Sequence, residues 1–203
     1  MPHKVDAKHG LDASPLIPGL KATKVDIRVL EQVVLLGIEI AREGREGRRI
    51  GTIMTLGDAQ SVLKHSHCLI LDPLLGHADK VKHVSSSGLR ETVKELAQLD
   101  GAFVISDEGV VLSACRFIDT SHAGVKVPLG LGTRHMAGAS ISKRTGCVAV
   151  VVSKSSWVRV FEAGEIASEI IPDIWLISKF GTHIMGRYSE ATSKDLRIFS
   201  KDS

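Results

Sequence analysis

The chain has 203 residues, long enough for one domain with a substantial core or at most two small ones. It is 43% hydrophobic and 24% charged with a formal net charge of +3, an ordinary globular balance that neither demands nor forbids a polyanionic partner. Aromatics make up only 4%, which argues against a base-stacking platform or a paratope-like surface, so nucleic acid is not the expected partner.

Residues 1–25, with Pro15 and Pro18, carry little pattern and read as an arm or linker. The opening MPHKVDAKHG lacks the apolar stretch of a signal peptide. No run approaches the roughly 20 apolar residues of a membrane helix. A cytoplasmic protein without a membrane partner is therefore expected. Val25, Ile27, Leu30, Val33, Val34, Ile38 and Ile40 recur mostly at spacings of three and four, which predicts an amphipathic helix over Val25–Arg42. Gly44 and Gly47 in EGREGR are its stop, and the basic run Arg42–Arg49, broken by Glu43 and Glu46, reads as a solvated loop.

Ile50–Leu56 is a β-branched strand segment bounded by Gly57-Asp58, with a helix expected over 58–65. A second apolar segment runs from His65 to Leu71 and ends at Asp72-Pro73. His65 and His67 alternate there and would need further ligands to hold a metal, while His77 and His83 read as solvated loop residues. Leu89, Val93, Leu96 and Leu99 predict a helix over Ser87–Leu99, capped by Ser86 or Ser87. Ala102–Ile105 and Gly109–Cys115 predict two strands joined by the turn Ser106–Gly109. After a loop at 119–131, Thr133–Ser142 is a helix of small residues and Cys147–Val152 a fully buried strand. Val158–Phe161 and Glu165–Ile170 form a hairpin around Ala163-Gly164, and 172–203 is mixed and tail-like. Cys68, Cys115 and Cys147 lie in apolar stretches without CxxC spacing and read as buried, reduced thiols. Trp157 and Trp175 read as packing anchors. The expected fold is α/β, a single domain with a mixed, twisted β-sheet flanked by helices.

Three segments could carry chemistry. Asp100-Gly101-Ala102 stands between a helix and a strand; Asp100 could bind a hard cation or accept a hydroxyl proton, or bond its own turn backbone, and Gly101 would let a ligand approach the chain. Gly132-Thr133-Arg134-His135 opens a helix whose first N–H groups favour an anion, with Arg134 a planar fork for phosphate oxygens. The alternative is a small-residue helix packed closely on the sheet. Neither a Walker spacing nor a Rossmann fingerprint is present. Ser153-Lys154-Ser155-Ser156 follows the CVAVVV strand, a place for either a ligand contact or a Ser-rich turn.

In this order and spacing, these three blocks resemble the diadenylate cyclase domain also found in the bacterial DNA-integrity scanning protein, in its archaeal flavour. Glu43–Gly51 ahead of a strand and Gly57-Asp58 resembles the opening of that family, and the likeness covers about 30–170. It implies a catalytic domain over 26–175, with 1–25 an arm or linker and 176–203 a C-terminal extension. It implies condensation of two ATP into cyclic di-AMP with release of two pyrophosphates. By resemblance, Asp100 would be catalytic and bind a divalent cation (Mg2+ or Mn2+) together with His135. Gly101, Ala102, Gly132, Thr133, Arg134, His135 and Ser153 would bind ATP, and Phe117 would line the adenine pocket. In-line attack needs the 3′-hydroxyl opposite the departing pyrophosphate. One domain holding one ATP cannot supply that geometry, so the resemblance implies a face-to-face homo-oligomer. The family's Arg-His-Arg with a following Thr is replaced here at Met136 and Ala137, and an acidic residue by Lys154; Lys143 or Lys154 could compensate. Those departures motivate an alternative, a nucleotide-binding sensor without turnover. A scaffold module that binds no nucleotide is the third reading.

Overall fold

Helix α1 (Ile27–Glu43) forms where the apolar spacing predicts it. The Asp26 carboxylate accepts from the Arg28 N–H at 2.8 Å and caps its start, and Gly44, at φ +57°, returns its N–H to the Ile40 carbonyl and stops it. The structure is a computed structural model that describes residues 22–120, 124–125, 127–172, 188–193 and 196–201. Elements then follow in chain order: β1 (Thr52–Leu56), α2 (Ala59–Lys64), β2 (Ser66–Cys68), a single 3-10 turn at Asp79–Val81, α3 (Ser87–Leu96), β3 (Ala102–Ile105) and β4 (Val111–Ile118). After them come α4 (Thr133–Arg144), β5 (Val148–Val152), β6 (Val158–Glu162), β7 (Glu165–Ile171), β8 (Tyr188–Ser193) and β9 (Leu196–Lys201).

These strands make one mixed sheet in the order β2-β4-β3-β1-β5-β6-β7-β9-β8. Only β1 and β3 pair in parallel, the crossover between them carrying α2 and α3; the remaining pairs are antiparallel. Both faces of its centre are covered, which explains the unbroken apolar run of β5. Val148, Val150 and Val152 point into one core with α1 and α3, while Ala149 and Val151 point into the other with α2 and α4. Helix α4 approaches β5 closely at Gly138, where a Cβ would stand 2.5 Å from Val151 Cγ2. The α/β class and the mixed, helix-flanked sheet are as the sequence predicts.

Several local expectations are corrected. The apolar segment 65–71 is a strand only at β2; Leu69, Ile70 and Leu71 are exposed, Leu71 by 88%. Their hydrophobicity serves a surface, so pattern alone misplaces them. Cys68 is exposed, unlike Cys115 and Cys147, because it sits on the outermost strand of that edge. Ser86 occupies the N-cap of α3, but its side chain makes no capping bond. The Arg42–Arg49 run is not merely solvated: Arg45 pairs with Glu91 and Glu95 of α3, and Arg49 reaches Ser156 Oγ at 2.5 Å. His83 bridges Ser85 Oγ and the Glu108 carbonyl, each at 2.7 Å, and so fastens the loop before α3 to the β3–β4 turn. The tail-like 172–203 includes β8 and β9, and β9 extends the sheet by pairing with β7. Trp175 lies outside the described residues, as do 1–21 and part of the 119–131 loop.

Candidate active site

The antiparallel pairing of β4 with β3 brings the end of one strand beside the start of the other, with Ala102 opposite Arg116. The ladder is irregular there, and Cys115 takes φ +54°. Gly101 lies directly beneath this bulge at φ +112°, and a Cβ on it would stand 2.7 Å from the Cys115 carbonyl carbon and 2.8 Å from Arg116 N. Glycine is therefore required by the crossing of two backbones. That differs from the sequence-level reason, ligand approach, although Gly101 also borders the cleft. Ala102 beside it is buried in the core of the α4 face.

The start of β3, the end of β4, Leu69 after β2 and the first turn of α4 enclose a cleft of about 240 Å3. Asp100, Gly101, Phe117, Thr133 and Arg134 all line it, so five of the residues singled out in sequence converge. Asp100 Oδ1 accepts from the Gly101 N–H at 3.1 Å and from Arg134 Nη2 at 3.0 Å. The own-turn bond of Asp100 thus coexists with a place in the cleft lining. Phe117, 46% exposed, forms one wall, its ring 5.1 Å from that of His67 on the paired strand. Met136 and Ala137 complete the α4 side. Gly132 is the N-cap of α4 in extended conformation, and a Cβ there would meet nothing within 4 Å. Free N–H groups in that first turn face an anion favourably.

Four sequence candidates are not in the lining: Ala102 and Gly132, already placed beside it, and His135 and Ser153. His135 is only 6% exposed, and its Nε2 accepts from Arg159 Nη1 of β6 at 3.1 Å. Burial, then the positive charge of Arg159 and of Arg134, pushes its imidazole down to about 4. Ser153 follows β5 at the same end of the sheet as Gly51, because β5 runs antiparallel to β1. Its hydroxyl is engaged in the β5–β6 turn, accepting from Trp157 N at 3.1 Å and lying 2.8 Å from Ser155 Oγ. The Ser-rich-turn reading describes it as it stands. Lys154 does not line the cleft, but its stem comes near Arg134 at Gly51. A Cβ on Gly51 would be 3.3 Å from Arg134 Nη1 and 3.4 Å from Lys154 Cγ, so the Arg134 guanidinium and the Lys154 stem both pass over that glycine. Lys143 instead reaches the Gly124 carbonyl.

A divalent cation is implied by the resemblance, and the residues fit it in part. Asp100 supplies a carboxylate at the cleft, the only one in its lining among the described residues. Among the described residues no three His, Cys, Asp or Glu side chains converge as a cation site. His135 offers its Nε2 lone pair to a guanidinium instead.

Sequence reading missed Arg116 and Asp72. Arg116 lines the cleft but spends its fork on the protein, donating to Ser66 Oγ at 2.8 Å and to the Ser66 carbonyl at 2.7 Å. Asp72 accepts from Ser113 Oγ at 2.6 Å, from Ala114 N at 3.2 Å and from Leu74 N at 3.0 Å, holding the 69–75 loop to the bulge beside Gly101. The signal for Asp72 was its Asp-Pro turn, which marks a chain reversal but not its anchor. Burial, with the Asp72 charge second, holds the Cys115 thiol above its usual range, and burial pushes Cys147 up to about 11, so both stay protonated.

A family model described as DisA bacterial checkpoint controller nucleotide-binding matches residues 39–166. A protein of Methanocaldococcus jannaschii named diadenylate cyclase is 47% identical over 146 residues, 71% of this chain and 46% of its own length. A protein of the same name from Haloferax volcanii is 37% identical over 155 residues, 75% of this chain and 56% of its own length. The chain thus spans about half the length of these curated relatives. A crystal structure of a double mutant of DacA from Staphylococcus aureus is similar at a TM-score of 0.48 and 21% identity, over 68% of this chain and 84% of that one. Among the described residues no helix is long and apolar enough to cross a membrane.

Proposed function

The chain belongs to the family described as DisA bacterial checkpoint controller nucleotide-binding, and from that premise we propose that it is a diadenylate cyclase domain, condensing two ATP into cyclic di-AMP across two facing copies. The observation that carries this reading is the meeting of Asp100 and Arg134 at 3.0 Å in a cleft bounded by the open first turn of α4. The pair is exposed and worth little in itself, so it opens readily when a triphosphate arrives.

In this reading Arg134, Thr133 and the first N–H groups of α4 hold the phosphates, with Lys154 at the rim, and the Phe117 wall takes the base. Asp100, released from Arg134, accepts the proton of a ribose 3′-hydroxyl presented by the facing copy. That oxygen bonds to the α-phosphorus, the bond to the bridging oxygen breaks opposite it, and pyrophosphate leaves; a second such step closes the ring. A bound Mg2+ or Mn2+ would neutralise charge on the reacting phosphate and favour the alkoxide. Self-association is supported by the apolar rim: Leu69 and Phe117 at the cleft are partly exposed, and Ile70 and Leu71 continue that surface, which a facing copy would cover.

Mass spectrometry after incubation with ATP and each cation tests the proposal. Cyclic di-AMP and pyrophosphate are expected, with specific activity falling on dilution. Asp100→Asn should keep its fold and lose product; undiminished product would refute the role. Met136, exposed in the cleft wall where the family carries a cation, favours the sensor reading enough to name its signature: thermal stabilisation by ATP with no product under either cation.

A further inference from the structure

The two side chains that the resemblance assigns to the cation have opposite surroundings. The Asp100 side chain is 78% exposed, and Oδ2 has no hydrogen-bond partner among the described residues. His135 is buried, and its Nε2 is already an acceptor for Arg159. Arg159 cannot simply swing away. Its Nε donates to Glu169 Oε1 of β7 at 2.5 Å, both partners being buried, and its guanidinium lies 4.5 Å from the centre of the Trp157 ring. Arg159 and Glu169 are also directly opposed in the β6–β7 ladder, so the backbone fixes their encounter. A dication at His135 would have to displace a guanidinium and then sit beside it. Removing one partner from a buried ion pair strands the other charge, which resists that exchange.

Resting on the nucleotide reading above, we propose that Arg159 is a positioning residue that withholds His135 from the cation, so that the protein contributes Asp100 alone and the substrate's phosphate oxygens supply the rest of the coordination. Such a shell is all oxygen. It suits Mg2+, which binds through one or two carboxylates plus phosphates and retained water, and gives nitrogen-seeking ions no added advantage. The cation then arrives with the nucleotide, and the protein without nucleotide binds it weakly.

Pulsed electron paramagnetic resonance on Mn2+ tests this, using the full chain with α,β-methylene ATP, which cannot release pyrophosphate. Expected are little bound Mn2+ without the analogue and, with it, strong phosphorus coupling but no coupling from a directly bound imidazole nitrogen. Asp100→Asn should weaken Mn2+ in the ternary complex at least about tenfold, and His135→Gln by less than about twofold. A directly coordinated histidine nitrogen in the wild-type spectrum overturns the proposal, and that measurement stands even if His135→Gln does not fold. If the analogue gives neither a thermal shift nor bound Mn2+, the nucleotide reading itself fails and this inference with it. A bound analogue with nitrogen-coupled Mn2+ overturns only the present one.

Discussion

Acidification should destabilise the fold through His135 well before the carboxylates titrate. In the folded chain the imidazole protonates only near 4, against 6.5 when unfolded, because burial and then the charges of Arg159 and Arg134 disfavour the imidazolium. Between those values the unfolded chain binds more protons than the folded one, so stability is fully present above 6.5 and is lost as pH falls toward 4. The full shift corresponds to about 3 kcal/mol, of which about 2 kcal/mol is already lost at pH 5. For a chain of this size that is a melting-point drop of roughly 4–8 °C. Asp58 and Glu91 are held below their usual range, Asp58 first by the Gly146 N–H and Glu91 first by Lys94, so their contribution is lost only at still lower pH. Urea denaturation at pH 8 and pH 5 isolates the effect. Wild type should lose about 2 kcal/mol more than His135→Gln, which keeps an acceptor for Arg159 but cannot titrate. Equal pH slopes for the two proteins, or an imidazole that titrates near 6.5 by NMR, would refute the reasoning.

The two site glycines should respond oppositely to a methyl group. Gly101→Ala combines φ +112° with a Cβ pressed against the Cys115 backbone and should cost about 3 kcal/mol, whereas Gly132→Ala, extended and open, should cost under about 1 kcal/mol; chemical denaturation of both variants decides it. Asp72→Ala should strand the buried Ser113 hydroxyl and the Ala114 N–H, costing about 1–3 kcal/mol and loosening the bulge over Gly101; hydrogen exchange faster at 113–116 than across β5 would show the loss is local, and uniform exchange would count against the anchor.

The elements were legible because each periodic segment met a core: α1 by its three-and-four spacing, β5 by a run whose alternate residues feed two different cores. The exposed 69–71 run and the strands at 188–201 were not, since hydrophobicity does not say which surface it serves, and β9 is recognised as a strand only through its pairing with β7 on one side and the edge strand β8 on the other. The site was half legible for a geometric reason. Asp100 and Arg134 are 34 residues apart and meet only because β3 and the start of α4 open on the same cleft, so their pairing had to come from the fold. The resemblance makes one grip of the Thr-Arg-His triplet, but an α-helix turns about 100° per residue, so three adjacent side chains cannot all face one ligand. Thr133 and Arg134 take the cleft; His135 turns to the sheet and meets Arg159; Met136 and Ala137 return to the cleft wall. What the triplet can present is its backbone at the start of α4, the N–H groups of Thr133 and Arg134, since the His135 N–H already donates to the Gly132 carbonyl at 3.0 Å. A triphosphate would therefore meet main chain and Arg134 on that side, and the loss of a family cation at Met136 costs less than a side-chain count suggests.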